Sequence, residues 1–570
     1  MILLQAICLN AVFLFYPHPI DQTTKCKAST SKPTDELIIA KTTTKQSSES
    51  IEHTILDDLE ATVRSALWGK SSEKQTARRK LFHAKFSVEK MQRIERSIRN
   101  GRKYPKPKQL QLVLPVELGD GKTLNVHLNL PANYNPKKSY PLMVAMGGGP
   151  VPNIRMAKQQ AGMMLRLWKN STVDSGWIVA SIEDSISLAT GQSPLRYHIL
   201  TSEYFRKILD ALIARYSIDQ NRIHATGISL GSNYSIAYAA AHPDWFAGVF
   251  PVSTEGESRE FVIRNLRTVS VAILEGAKDR NIRTIQGPRR LAEMMKQFQY
   301  RVQYREFANR GHEGFTGKYR EVLKWLSQKP RNPFPKEVIR LPHSGILLPD
   351  RRFFWLEADT QQAAFHARVL GNKIEVEAAH ARKLTFYLSD RLLNLDRAVT
   401  IRVNGKQVLH RKLARSVQVA IEDAAHLNDT ERFATVRITV DVPNLNVGEK
   451  WRKSLSPQKP PGRLAYWEMF AMQTLEQERS SISAKITIEG EQSKTTQPLA
   501  MGKVIEVSTD SPLKKGDRIL EFDGEPFFFN AHSLEFLNSY LMRTPKTEVR
   551  FRIIRNGTET TVKFPLKKTE

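Results

Sequence analysis

The sequence predicts an α/β chain: a doubly wound, mostly parallel sheet covered on both faces, then a small β-sandwich and a closing α+β unit. Three observations carry this reading. Short apolar runs alternate with helical stretches from Leu110 to about Lys329, the alternation with helices stops at Pro330-Arg331-Asn332-Pro333, and a stiff Pro-rich linker, Ser456 to Gly462, precedes a last group of strands. Strands separated by helices return in parallel through crossovers, whereas strands joined by short turns pair antiparallel.

The chain has 570 residues, 41% hydrophobic and 25% charged, which excludes collagen, coiled coil and wholesale disorder. Ile2 to Tyr16 is apolar apart from Gln5 and Asn10. That is the length of a signal-peptide core and short for a bilayer span, so residues 1–27 are expected to direct export, secreted or periplasmic, with an uncleaved anchor as the alternative. Residues 28–109 form a basic region. Its first part, 28–50, is rich in Ser, Thr and Lys and reads as a disordered leader. From about Ile51 to Ser97 the pattern is helical, with Ile55, Leu59, Val63 and Leu67 near helical spacing, until Asn100-Gly101 and the prolines 105 and 107 stop it.

Residues 110–330 carry the alternation. Strands are expected at Leu124 to Leu130, Leu142 to Met146, Trp177 to Ile182, Ile223 to Thr226, Gly248 to Val252, Ser270 to Leu274 and Val302 to Phe307. Helices are expected near Thr201 to Arg215, Leu230 to Ala241, Pro288 to Gln297 and Lys318 to Ser327. The loop Asp184 to Arg196 carries no readable code. Residues 345–445 read as the sandwich, with strands at Phe353 to Glu357, Ala364 to Val369, Lys373 to Glu377, Leu384 to Leu388 and Val399 to Val403; the last meets Gln407 to His410 across Asn404-Gly405, a strong hairpin signal. Residues 480–570 show strands near Val504 to Val507, Arg518 to Phe522, Val549 to Ile554 and Thr560 to Phe564, and a helix near Ser533 to Leu541.

Gly227-Ile228-Ser229-Leu230-Gly231 fits G-x-S-x-G, and its context fits too: the strand Arg222 to Thr226 runs into it and a helix leaves it. A serine on such a tight turn needs small residues two positions to either side, and it is exposed at the sheet edge as a nucleophile. Its hydroxyl needs a base, and the base an orienting carboxylate, in the order Ser, Asp, His. Asp279 follows one strand in Gly276-Ala277-Lys278-Asp279, with Glu275 as the rival acid, and His312 follows the next in Arg310-Gly311-His312-Glu313-Gly314. Both fall at carboxyl ends of strands, where open α/β sheets build sites. The oxyanion donors are expected to be the Leu230 amide and an amide of Gly147-Gly148-Gly149-Pro150, at Gly147 or Gly148. H-E-x-x-H fails at Thr316 and G-x-G-x-x-G at Pro152, so neither a metalloprotease helix nor a dinucleotide loop is expected.

These four blocks, with Tyr140 to Gly149 and Asp219 to Gly231 in full, resemble the α/β-hydrolase family, and within it esterases similar to polyhydroxybutyrate depolymerase and feruloyl esterase, with prolyl-oligopeptidase-type domains as close relatives. The resemblance implies a serine hydrolase of carboxylic esters working through an acyl-enzyme, without cofactor or metal; a serine peptidase and a catalytically silent scaffold are its alternatives. The family usually has a histidine just before the oxyanion glycines, where this chain has Met146. The last unit resembles a PDZ domain through Met501 to Val507, Asp510 to Leu513 and Lys515 to Gly524. That resemblance implies a peptide ligand added as a strand, with packing onto the rest of its own chain as the alternative.

The net charge is +28, and residues 61–110 hold 15 basic and 3 acidic side chains, with Arg93, Arg96, Arg99 and Arg102 at helical spacing. Charge alone allows two readings of this segment, a solvated helix face or contact with a polyanion through residues 61–110. No nucleic-acid recognition motif accompanies it. Only Cys8 and Cys26 occur, which excludes a disulfide framework and a four-Cys zinc site.

Overall fold

The structure is a computed structural model. It describes residues 59–84, 86–119, 121–148, 154–172, 175–183, 202–257, 259–279, 285–342, 347, 349–455, 487–491, 501–506, 512–523, 525–526 and 548–565. The signal-like segment 1–27, the leader 28–50, the pattern's first residues from Ile51, the Asp184 to Arg196 loop, the Ser456 to Gly462 linker and the Ser533 to Leu541 helix lie outside the described residues.

The basic region forms three helices rather than one run: α1 (Leu59–Trp68), α2 (Ser71–His83) and α3 (Val88–Asn100). Leu59, Val63 and Leu67 are buried, as their spacing requires, and the Ser87 hydroxyl caps α3 by accepting from the Lys90 N–H.

An eight-stranded sheet follows: β1 (Gln111–Gly119), β2 (Lys122–Asn129), β3 (Tyr140–Met146), β4 (Ile178–Glu183), β5 (Ile218–Ile228), β6 (Gly248–Val252), β7 (Ser270–Gly276) and β8 (Val302–Phe307). Their order is β1-β2-β4-β3-β5-β6-β7-β8, with β2 antiparallel to both neighbours and the rest parallel. The interleaved helices are α4 (Ile154–Thr172), α5 (Ser202–Arg215), α6 (Leu230–Ala241), the short α7 (Glu260–Asn265), α8 (Gln286–Gln297) and α9 (Tyr319–Ser327). Alternate strand residues feed two cores. Leu142, Val144 and Met146 pack with residues of α5, α6 and α8, whereas Met143 and Ala145 pack with Met164 and Trp168 of α4 and Tyr319 and Leu323 of α9. This is the α/β-hydrolase fold.

The next residues form two sheets over one core: β9 (Glu337–Arg340), β10 (Arg352–Phe353), β11 (Leu356–Ala358), β12 (Ala364–Leu370), β13 (Lys373–Ala379), β14 (Lys383–Leu388), β15 (Val399–Val403), β16 (Lys406–Arg411) and β17 (Val436–Asp441). The orders are β10-β11-β14-β17 and β16-β15-β13-β12-β9. The stretch Phe353 to Glu357, expected as one strand, is instead a tight β10–β11 hairpin, with Phe354 at φ 56°. Asn404 and Gly405 turn β15 into β16 at φ 48° and 78°. Two helices, α10 (Val417–Leu427) and α11 (Leu445–Ser454), complete the unit, and α10 packs on α1, α2 and α3.

The sandwich is locked to the hydrolase through buried charges. Arg331 donates to both carboxylate oxygens of Asp429, at 2.7 and 3.2 Å, and to the Asp244 carbonyl at 2.6 Å, while Arg432 pairs with the Asp244 carboxylate. Burial pushes the Asp429 carboxyl up, but the two guanidiniums outweigh it and hold the group well below the usual range.

The last unit is an antiparallel sheet of β18 (Thr487–Glu491), β19 (Met501–Glu506), β20 (Arg518–Phe522), β21 (Glu525–Pro526), β22 (Glu548–Arg555) and β23 (Thr558–Pro565), ordered β18-β19-β20-β22-β23 with β21 on β20. Asp517 accepts both ends of the Arg555 guanidinium, at 2.7 and 2.8 Å, which fixes the turn before β20.

Candidate active site

Strand β5 ends at Ile228 and α6 begins at Leu230, so Ser229 alone makes the turn. It does so at φ 56°, ψ −123°, a region non-glycine residues rarely occupy. Two flanking glycines make the turn feasible. A Cβ on Gly227 would lie 2.1 Å from the Gly231 carbonyl carbon, and one on Gly231 would lie 2.3 Å from the Met146 oxygen. The pattern therefore reflects contact between the two glycines and the end of β3. The Ser229 N–H donates to the Val252 oxygen at 3.0 Å, which fastens the turn to β6.

Asp279 and His312 meet at the same edge of the sheet. His312 Nδ1 lies 2.7 Å from Asp279 Oδ2; the Asp279 side chain is fully buried and that of His312 is 21% exposed. Backbone bonds knit their loops together: Lys278 N–H donates to the Arg310 oxygen at 2.9 Å and Ala277 N–H to the Phe307 oxygen at 3.0 Å. The rival acid, Glu275, faces elsewhere. Its carboxyl accepts from the amides of Thr254 and Gly276, and burial pushes it up to about 8, so near neutral pH it is largely uncharged.

The glycine loop after β3, expected to supply an oxyanion donor, lies against Ser229. A Cβ on Gly148 would come 3.0 Å from the Ser229 Cβ. Gln160 of α4 reaches across to donate to the Gly148 oxygen at 2.8 Å, with its own oxygen beside Gly147. The Leu230 amide is the first of α6, where an N–H has no intrahelical partner. Gly149 and Pro150 lie outside the described residues.

The structure places further residues here that no motif announces. The fully buried Ser253, directly after β6, ties its hydroxyl to the backbone of Glu313. At the carboxyl end of β4, Glu183 lies 2.6 Å from His127 Nε2. Only the folded sheet brings these pairs together. Among the described residues, no group of three or more His, Cys, Asp or Glu side chains is placed to hold a metal, and no helix is long and apolar enough to cross a membrane.

A second Ser–His–Asp set exists: His242 lies 2.6 Å from the Ser202 hydroxyl and 2.8 Å from Asp350. Its imidazole is fully buried and stacks on Trp245 at 3.9 Å. Ser202 is an ordinary helical residue in α5. With its imidazole buried against an indole, this set clamps three chain segments together.

Sheet order, elbow and edge together are those of the α/β-hydrolase fold. Residues 486–566 match the family model of the PDZ domain. Over 77 residues the chain is 31% identical to NocK of Nocardia uniformis subsp. tsuyamanensis, a protein that carries the name of an esterase; the match takes in 14% of this chain and spans 22% of that relative's length. Among solved structures it is similar to a thermostable esterase (18% identity, TM-score 0.33, 39% of this chain and 64% of that one) and to Thermogutta terrifontis esterase 2 phosphorylated by paraoxon (14%, 0.31, 40% and 95%). It is also similar to the Pyrococcus horikoshii acylaminoacyl peptidase (13%, 0.31, 39% and 42%).

Proposed function

We propose that this chain is a serine hydrolase that cleaves a carboxylic ester through an acyl-enzyme. The observation that carries the reading is the strained Ser229 elbow on the sheet edge where Asp279 holds His312. Ser229 attacks the ester carbonyl, His312 takes its proton and returns it to the leaving alcohol, and Asp279 fixes the imidazole so that the other nitrogen faces the reaction. The Leu230 amide and the Gly147-Gly148 loop stabilise the oxyanion. Water then attacks the acyl-enzyme by the same route. The apolar run Ile2 to Tyr16 supports a secreted or periplasmic place of action, and the PDZ match supports a peptide ligand for the last unit.

A fluorophosphonate probe and a chromogenic aryl ester test the reading. The expected result is one labelled serine and a burst of alcohol release, both abolished by Ser229→Ala with the fold intact. Labelling or turnover that survives this change overturns it. A panel of aryl esters, feruloyl and acetylated sugars and aminoacyl-anilides separates esterase from peptidase.

A further inference from the structure

We propose that the cleft between the N-terminal helices and helix α10 binds a strand of acidic polysaccharide, at a site remote from the hydrolytic edge. The inference is independent of the ester-hydrolase reading.

The cleft has a volume of about 800 Å³ and is lined by Arg64, Lys74, Arg78, Arg102 and Lys103 against one carboxylate, Glu73. Each guanidinium is held in place by a neutral oxygen: Arg64 donates to the Gly101 carbonyl at 3.2 Å, Arg78 to the Ala66 carbonyl at 3.1 Å and Arg102 to the Asn428 side chain at 3.0 Å. None of the five cations forms an ion pair among the described residues. Glu73 turns aside to accept from the Lys70 N–H. Positioned cations with uncompensated charge are what an anionic ligand requires.

The site is elongated. A second cleft, of about 670 Å³, shares Arg102, Lys103 and Thr430 with the first and adds Arg99 and Lys137. Its acids are engaged elsewhere, Asp219 with Arg222 and Glu431 with Arg391. The two clefts together form a channel for a chain with repeated negative charge. The sequence run of four arginines is thereby divided: Arg93 and Arg96 point to solvent, while Arg99 and Arg102 line the clefts.

Two features favour a polysaccharide over nucleic acid. A recess of this size does not admit a duplex, and single strands rely on open aromatic faces for base stacking. The aromatic rings nearest the channel, Trp68 and Tyr104, already carry the Arg102 guanidinium 5.8 Å from each centroid. What remains is charge and hydrogen bonding, which suits sulfate or carboxylate groups on hydroxyl-rich sugars. Location sets the role: the channel touches Ser217 to Gln220 at the start of β5, whereas Ser229 follows its other end, roughly 25 Å away at strand rise when counted along the partner strand β3, which pairs Tyr140 with Ile218 and Met146 with Gly227. A ligand here anchors the enzyme and does not present the scissile bond.

The test is binding of the full chain to a fluorescent heparin dodecasaccharide, to oligogalacturonate of similar length and to a 20-mer oligothymidylate, at two salt concentrations. Lys74→Gln with Lys103→Gln removes two cations that hold no structural side-chain bond; Arg93→Gln with Arg96→Gln is the outward-facing control. The expected result is salt-sensitive binding of heparin or of both saccharides, weakened roughly tenfold by the cleft pair and less than twofold by the control. The heparin and galacturonate arms distinguish sulfate from carboxylate as the anion read. Ester turnover and melting temperature should stay unchanged in both variants. Equal losses in the two pairs, no loss in the cleft pair, no saccharide binding at millimolar sugar, or tighter binding of oligothymidylate each overturns the proposal.

Discussion

The Ser253 hydroxyl holds Glu313 by both backbone polar atoms, donating to its carbonyl oxygen at 2.9 Å and accepting from its N–H at 3.2 Å. Ser253 directly follows Val252, whose oxygen takes the Ser229 N–H, so the end of β6 braces both the Ser229 turn and the loop that carries His312.

Loss of that brace should misplace the base without unfolding the protein. Ser253→Ala is expected to lower kcat about 10- to 100-fold with little change in KM, because substrate contacts remain while His312 is no longer held at its working distance. Steady-state kinetics on one aryl ester, beside a thermal melt, checks this. A fall in melting temperature that accounts for the whole loss would make Ser253 a packing residue only.

Asp279 and Glu275 should separate cleanly. Asp279→Asn is expected to cost two to four orders of magnitude in kcat, and Glu275→Gln, which keeps an uncharged acceptor toward Thr254, less than about threefold near pH 6. Glu275 should instead govern stability. An unfolded chain ionises this carboxyl near the ordinary glutamate value, so between about 4.5 and about 8 the folded state binds one proton more and stability falls as pH rises. Thermal melts from pH 5 to 8.5 should show that fall in the parent and a shallower one in Glu275→Gln. Parallel curves would refute the assignment.

The charge lock between hydrolase and sandwich should be stability-critical. Arg331→Met strands Asp429 with one fewer cation in a buried site, at a cost of about 3–5 kcal/mol. Denaturant unfolding measures it. A change below about 1 kcal/mol would mean water reaches the site.

Residues 480–570 contain none of the proposed catalytic groups. Their removal is expected to leave turnover of a small soluble ester within about twofold, and any effect should be confined to macromolecular ligands. A truncated chain that melts normally yet loses small-ester activity would show that this unit helps to build the active site.

What is legible in the sequence is what chemistry constrains locally. Gly227 and Gly231 announce the elbow because a Cβ at either would collide with backbone, and Asp279 and His312 stand out because each lies in the loop that follows a strand of the sheet at its carboxyl end. Ser253 and Gln160 give no such signal; each acts on a backbone atom distant in sequence, which any polar residue could have been placed to meet. Strand β1 is hidden because it contains Pro115 and buries only alternate residues at a sheet edge. Phe354 conceals the β10–β11 hairpin, since an aromatic residue rarely takes positive φ. Helix α10 is different: Val417, Ala420, Ile421 and Ala424 stand at helical spacing, a legible pattern that the surrounding strands outweigh.

The Arg331–Asp429 and Arg432–Asp244 pairs also set an order of events during synthesis. When the ribosome has released the sheet through α9, Asp244 is in place and the cation that neutralises it has not yet been made. The eight-stranded sheet unit therefore waits with a carboxylate that must stay hydrated until Arg432 emerges and docking expels the water. A nascent chain stalled before that residue should be captured by chaperones and cut by proteases at sites the finished protein conceals.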